Sequence, residues 1–168
     1  AAGQRVLDIG TGSGDTALIA AKCVGPKGWV LATDTSMDAM HGLAAQLDAR
    51  SQPLPIVLEA VAAESLTLTP GSFDAALARN SVMYFTDLPR ALANIRAALR
   101  TGGRFVASVY GPLEQEPFHA VPVAAVRSRG PINEPYPDYV QAFRVSAEDL
   151  ECALRDAGFR AVERYVVP

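Results

Sequence analysis

Short runs of apolar residues alternate along the chain with longer stretches in which apolar residues recur every three or four positions. Nearly continuous apolar runs are typical of parallel strands that are buried on both faces of a sheet. They are RVLDI (5–9), WVLAT (29–33), PIVLEA (55–60), FDAALA (73–78) and GRFVASVY (103–110). Strand runs that alternate with helical stretches predict an α/β fold, a doubly wound, mostly parallel sheet with helices on both faces.

Three stretches between the runs have the spacing of amphipathic helices: TALIAAKCV (16–24), SMDAMHGLAAQLDA (36–49) and DLPRALANIRAALR (87–100). In the third, Gly102 and Gly103 follow the last apolar residue and predict its end. A further helix is expected from Ser146 to Gly158, because serine followed by acidic residues is a start signal. The last residues, FRAVERYVV (159–167), predict another strand.

The regular alternation stops between residues 111 and 145, where prolines and aromatic residues accumulate. A short helix is expected around Phe118 to Arg127, with a kink at Pro122. Aromatic residues of this segment, among them Tyr136, Tyr139 and Phe143, are predicted to form a lid that covers an apolar pocket. We therefore expect one domain over residues 1–168, with a core (1–110), this lid (111–145) and a returning helix and strand (146–168).

Composition narrows the range of functions. The chain has 168 residues, of which 49% are hydrophobic and 20% charged, and its net charge is -3. No basic surface for nucleic acid is expected, and no apolar run approaches the roughly 20 residues that span a bilayer. We expect a cytoplasmic protein, and ends that lie directly beside core strands predict a piece of a longer chain with further domains. Cys23 and Cys152 lack metal-site spacing and are expected to be buried thiols, so no metal site is predicted.

The first predicted strand runs directly into a glycine-rich turn, VLDIGTGSGD (6–15). A dinucleotide fingerprint needs a third glycine where this chain has Asp15, and no Gly-Lys-Ser/Thr follows for a P-loop. Asp8 places a carboxylate beside the turn, which repels a pyrophosphate but suits a cation such as S-adenosylmethionine. Asp34, 24 residues after Gly10, stands where ribose hydroxyls are bound in such folds, although it could instead cap the next helix.

Four stretches together carry a family resemblance: VLDIGTGSGD, VLATDTSMDAM, GSFDAALARNSVMYF and IRAALRTGGRF. They resemble the class I S-adenosylmethionine-dependent methyltransferases, in particular the small-molecule branch that includes the ubiquinone and menaquinone biosynthesis enzymes. The resemblance covers residues 3–110 and 146–160. It implies a Rossmann-like sheet truncated here at both ends, and methyl transfer to carbon or oxygen of a small organic acceptor by in-line displacement.

The resemblance also implies a set of cofactor-binding positions. The methionine end of the cofactor is expected at the turn, the ribose at Asp34 and the adenine beside Thr35 and Met37. Ala62 stands where family members often have an acid for the adenine amino group, so the backbone N–H of Ala63, or the side chain of Glu64, is expected to compensate. The whole predicted set is Asp8, Gly10, Thr11, Gly12, Gly14, Asp34, Thr35, Met37, Ala62, Ala63, Arg79 and Asn80, the last two followed by Ser81 and facing the acceptor.

For the acceptor, Tyr84, Tyr110 and Phe118 are predicted to supply apolar contact, and alternatively they only pack the lid onto the domain. His119 is the candidate general base if the acceptor must lose a proton, with a structural role as the alternative. Two other functional classes stay open at this point. One is a nicotinamide-dependent oxidoreductase on the same topology, which Asp8 and Asp15 disfavour, and the other is a non-catalytic cofactor-binding module.

Overall fold

The computed structural model describes residues 1–130 and 142–166. In these two segments, five parallel strands form one sheet in the order β3-β2-β1-β4-β5. They are β1 (Arg5–Ile9), β2 (Trp29–Asp34), β3 (Ile56–Ala60), β4 (Phe73–Arg79) and β5 (Leu99–Ser108). All five predicted apolar runs are therefore confirmed as strands.

Within the described residues the α-helices are α1 (Asp15–Val24), α2 (Met37–Asp48), α3 (Leu88–Ala98), α4 (Pro117–Arg127) and α5 (Ala147–Asp156). Helices α1 and α2 share one apolar core with one face of the sheet, through buried residues such as Ala17, Leu43 and Val30. Helices α3 and α5 share a second core with the opposite face. The doubly wound α/β architecture is confirmed.

Strand β1 lies at the centre, with β2 on one side and β4 on the other, so that Val6 is in register with both Val30 and Ala75. The strand order reverses at β1, and in open α/β sheets such a reversal leaves a crevice beyond the carboxyl ends of the strands. Ligands of open α/β sheets bind in such a crevice. The fold therefore places the glycine-rich turn, which follows β1 directly, at the expected ligand site.

The expected strand at 159–167 is wrong: residues 159–166 contain no strand. Phe159 instead packs its ring on Phe105 of β5, with the ring centroids 5.6 Å apart. A strand forms only where a neighbour satisfies its backbone groups, and in the described part of the chain none lies beside this segment. An apolar pattern alone cannot reveal that missing partner.

Three smaller expectations have separate outcomes. The helix expected over 87–100 ends at Ala98, since the backbone is already extended at Leu99 and pairs with Phe73 of β4. Cys23 and Cys152 are exposed rather than buried. Tyr136 and Tyr139 lie outside the described residues. No helix of the described segments is long and apolar enough to cross a membrane.

Candidate functional site

The glycine-rich turn needs its glycines for different reasons. Gly10, Gly12 and Gly14 all have positive φ angles, of 67°, 53° and 86°. A Cβ atom at Gly10 would lie 2.4 Å from the Cβ of Ser81, and one at Gly14 would lie 2.3 Å from a methyl of Leu43. At Gly12 a Cβ atom would meet nothing within 4 Å. The first and third glycines permit close packing, whereas the second borders open space that a ligand can fill.

Asp8 lies directly below this turn. The residue is only 1% exposed, so its carboxylate is buried. Its Oδ2 accepts a hydrogen bond of 2.6 Å from the Thr11 hydroxyl. Burial raises the pKa of Asp8 to about 6, while the Thr11 hydroxyl, the Ala17 backbone N–H and the charge of Arg79 oppose that rise. A cation bound beside Asp8 favours its ionised form, so the buried acid suits an ammonium or sulfonium group.

Asp34, at the end of β2, closes the turn from the other side. Its Oδ2 accepts a hydrogen bond of 2.8 Å from the Gly12 backbone N–H, and its Oδ1 one of 2.9 Å from Ser36. Each carboxylate oxygen has two lone pairs, so both can still accept a hydroxyl. The N-cap of α2 is Ser36, whose Oγ accepts from Ala39. Asp34 is therefore not the helix cap. Its half-buried carboxylate lies beside the glycine turn and can still accept hydrogen bonds from a ligand there.

The predicted adenine region lies between the ends of β2 and β3. Thr35 is exposed, Met37 is 53% exposed at the start of α2, and Ala62 and Ala63 lead into a 3-10 turn. The Val61 N–H donates to the Asp34 carbonyl at 3.0 Å, which holds the two loops together. An exposed methionine is a suitable surface for a flat, apolar ring.

Glu64 is engaged elsewhere, which corrects the expectation that it compensates for Ala62. Its Oε1 accepts from the backbone N–H of Thr86, from the Thr86 hydroxyl at 3.1 Å and from the backbone N–H of Asp87 at 3.2 Å. Burial opposes ionisation, but hydrogen bonds from the N–H groups of Glu64 itself, Asp87 and Thr86 outweigh it and lower its pKa. The Glu64 carboxylate thus anchors the start of α3.

The end of β4 turns sharply at Asn80, a non-glycine residue with φ of 52°. Arg79 points to the α1 side, where its side chain is 60% exposed and lies 3.5 Å from Asp15. Ser81 points back, and its Oγ donates to the Ile9 carbonyl at 2.7 Å. Asn80 contacts Ser108 at the end of β5, a residue that sequence reasoning missed. The position of Ser108 at the carboxyl end of a strand is the signal in the sequence that could have identified it as a candidate site residue.

The predicted acceptor residues divide into two groups. Tyr110 and His119 form an edge-to-face pair with centroids 4.7 Å apart, and Phe118 and Phe143 lie 5.2 and 5.4 Å from the His119 ring. Phe118 is nevertheless 81% exposed. Tyr84, 47% exposed, lies in a separate 3-10 turn after β4. Within residues 1–130 and 142–166, no cluster of His, Cys, Asp or Glu side chains is arranged to hold a metal ion.

Comparisons with known proteins indicate the family of the chain. A family model described as a methyltransferase domain matches residues 6–103. Malonyl-[acyl-carrier protein] O-methyltransferase of Geobacter sulfurreducens is 30% identical over 96% of this chain and 57% of its own length. A 2-phytyl-1,4-naphtoquinone methyltransferase of Synechococcus elongatus is 28% identical over 97% of this chain and 74% of its own.

A solved structure also shares the fold. The SAM dependent methyltransferase from Aquifex aeolicus superimposes with a TM-score of 0.71 at 18% identity, over 95% of this chain and 73% of that one. At this identity the likeness shows the fold alone. The chain spans just over half the length of the Geobacter sulfurreducens relative.

Proposed function

The chain belongs to the class I S-adenosylmethionine-dependent methyltransferases, and on that premise we propose that it transfers a methyl group from S-adenosylmethionine to carbon or oxygen of a small organic acceptor. The observation that supports this most is the arrangement at the end of β1, where a buried carboxylate lies below a glycine turn whose middle residue borders open space. This arrangement fits a cationic ligand.

We propose that the residues around that turn bind the cofactor. Asp8 faces the cationic end, Gly12 lets the backbone approach the ligand, and the free lone pairs of Asp34 accept the ribose hydroxyls. Met37 and the N–H of Ala63 border the adenine, and Asn80 lies between the cofactor and the acceptor. Arg79 is proposed to contact the cofactor from the α1 side, where it lies beside Asp15. When bound, S-adenosylmethionine supplies a methyl group on a sulfonium, which is a good leaving group. The residues of the chain therefore have to align the acceptor with that methyl group and exclude water.

The acceptor side remains a proposal in two respects. Tyr110, Phe118 and Tyr84 are proposed to contact the acceptor, which the half-buried to exposed state of these rings allows. A small molecule, not nucleic acid, is proposed because the net charge of -3 offers no basic surface for phosphates. The cytoplasmic location and any further domains stay predictions.

The first test is a calorimetric titration of the protein with S-adenosylhomocysteine, with NADH as the control ligand. We expect micromolar binding of S-adenosylhomocysteine alone. Asp34→Ala removes a half-buried hydrogen-bond partner and is expected to cost about 1–3 kcal/mol of binding free energy. Asp48→Ala, an exposed carboxylate at the far end of α2, serves as the matched variant and is expected to change nothing. Equal affinity of the Asp34 and Asp48 variants would place the ribose elsewhere.

Turnover distinguishes an enzyme from a non-catalytic module, and His119 provides the second test. If it is the general base, His119→Gln is expected to lower kcat by about 100-fold or more with an unchanged affinity for S-adenosylhomocysteine. Initial rates over a pH series, measured with any acceptor that is methylated, check this prediction. A loss of thermal stability without a loss of kcat would instead assign His119 to the packing of its aromatic neighbours.

A further inference from the structure

Asn80 and Ser108 form a pair at the carboxyl ends of two adjacent strands. Arg79, the residue before Asn80, is in register with Ser108 in the parallel pairing of β4 and β5. The backbone N–H of Asn80 donates to the Ser108 carbonyl at 3.2 Å and to its Oγ at 3.1 Å. The Ser108 hydroxyl then donates to Oδ1 of Asn80 at 2.7 Å. One serine thus holds both the backbone and the side-chain oxygen of Asn80.

These bonds decide which end of the Asn80 amide is offered to a ligand. Oδ1 is engaged by the Ser108 hydroxyl, so Nδ2, with its two N–H donors, is the end left for a ligand. The left-handed backbone of Asn80 is a conformation that asparagine tolerates better than most residues. The amide of this half-buried residue is therefore presented as a hydrogen-bond donor, beside the exposed Ser108.

The pair has neighbours in both parts of the proposed site. On one side, the Ser81 hydroxyl bonds to Ile9, next to the glycine turn. On the other, Tyr110 follows Ser108 by two residues, about 7 Å of extended chain at most, and stands edge-to-face with His119. Asn80 thus lies between the predicted cofactor site and an aromatic cluster.

We propose that Ser108 is a positioning residue that turns the Asn80 amide into a donor to the acceptor atom, and that this makes the site selective for oxygen nucleophiles over amines. The proposal rests on the proposed methyltransferase function. An amine has one lone pair, which must attack the methyl group, so an N–H donor bound to that lone pair blocks the reaction. A hydroxyl or phenolate oxygen has a further lone pair for Asn80 while it attacks.

The step balances with the groups already named. A carbon–oxygen bond forms as the carbon–sulfur bond of the cofactor breaks, its electron pair remains on sulfur, and the proton of the acceptor hydroxyl passes to a base or to water. The donor stabilises the negative charge on oxygen before the bond forms, which lowers the free energy of the reactive form of the acceptor.

The experiment compares 1-naphthol with 1-naphthylamine, two probes of one shape that differ in the nucleophile. Both are titrated into protein saturated with S-adenosylhomocysteine, and both are assayed for methylation with S-adenosylmethionine. We expect tighter binding of 1-naphthol and a kcat/KM at least about 10-fold above that of the amine, equivalent to one hydrogen bond. Asn80→Asp keeps the shape and the bond from Ser108 but removes the donors, so it is expected to lower the 1-naphthol value about 10-fold and abolish the selectivity.

Ser108→Ala is expected to reduce the same selectivity, and Ser108→Thr, which keeps the hydroxyl, to restore it. Ser128→Ala removes a hydroxyl that donates to the Ala125 carbonyl at the end of α4, and is the matched control. Three outcomes would each overturn the proposal. The unaltered protein could methylate both probes equally well, it could fail to bind 1-naphthol, or Asn80→Asp could leave the selectivity unchanged. Loss of S-adenosylhomocysteine affinity in Asn80→Asp would overturn it in favour of a cofactor contact. If the unaltered protein binds no S-adenosylhomocysteine, the proposed function itself fails.

Discussion

Asp8→Asn is expected to make the ligand-free protein more stable at pH 7.5 and, at the same time, a poorer binder of S-adenosylmethionine. The pKa of Asp8 is about 6 in the folded protein, against 3.8 for an ordinary aspartate. Because the folded pKa is the higher one, the stabilisation by the protonated form is complete below pH 3.8 and is lost as the pH rises through 6. At pH 7.5 the ionised Asp8 costs about 2–3 kcal/mol, which asparagine avoids.

Urea unfolding at pH 5 and pH 7.5 measures the stability part of this prediction. The unaltered protein is expected to be less stable at pH 7.5 than at pH 5 because Asp8 ionises between these values. This contribution to the pH dependence is expected to be absent in Asp8→Asn. Asp74→Asn is the control, and it is expected to change the stability in the opposite direction. The Arg5 N–H and the Arg100 guanidinium lower the pKa of Asp74, so its ionised carboxylate stabilises the fold and its loss destabilises it. If Asp8→Asn unfolds at lower urea than the unaltered protein at both pH values, Asp8 is a structural partner of Thr11 rather than a buried charge.

The expected pH dependence of the affinity follows from the coupling between ligand binding and the ionisation of Asp8. A cationic ligand favours the ionised form of Asp8, so the affinity for S-adenosylmethionine is expected to rise as the pH increases through about 6 and then to level off. Asparagine cannot supply the charge, and its variant is expected to bind more weakly with a flat profile over this range. Titration calorimetry at several pH values measures both. A pH-dependent affinity that persists in Asp8→Asn would assign the titration to another group.

The second large effect is expected from alanine substitutions at two glycines of the same turn, which separate folding from binding. Gly10→Ala places a Cβ 2.4 Å from the Cβ of Ser81, which its own hydrogen bond to Ile9 holds in place. With the added strain at a φ of 67°, we expect a loss of about 2–4 kcal/mol of unfolding free energy. Gly12→Ala meets no protein atom within 4 Å, so only the backbone strain of about 1 kcal/mol is expected.

Binding is expected to reverse this order. The new methyl group at Gly12 occupies the space assigned to the ligand, and we expect the affinity for S-adenosylhomocysteine to fall by about 100-fold or more, although the fold is retained. Thermal unfolding and calorimetry of the two variants side by side provide the measurement. Gly25→Ala, at a positive φ of 65° with open space and away from the site, controls for backbone strain alone. If Gly12→Ala binds as tightly as Gly25→Ala, the ligand does not pass over Gly12.

The agreement between sequence and structure has a physical basis in particular elements. The run RVLDI became β1 without a change of bounds, because three of its residues, Val6, Leu7 and Ile9, are apolar and buried in the sheet. Ser146 caps α5 in a capping box with Asp149, as serine and acids at that spacing predict. Both signals are local, since the interactions that decide the structure join residues close in sequence.

The sequence by itself determined the α/β class, the strand and helix order, the glycine spacing and the family, because these depend on periodicity and short motifs. Only the tertiary structure decided how the side chains of the site are used. The diversion of Glu64 to α3, the bond from Ser81 to Ile9 and the hold of Ser108 on Asn80 join residues 22, 72 and 28 positions apart. The raised pKa of Asp8 and the absence of a strand at 159–166 likewise depend on what surrounds each segment in space, which no local pattern records.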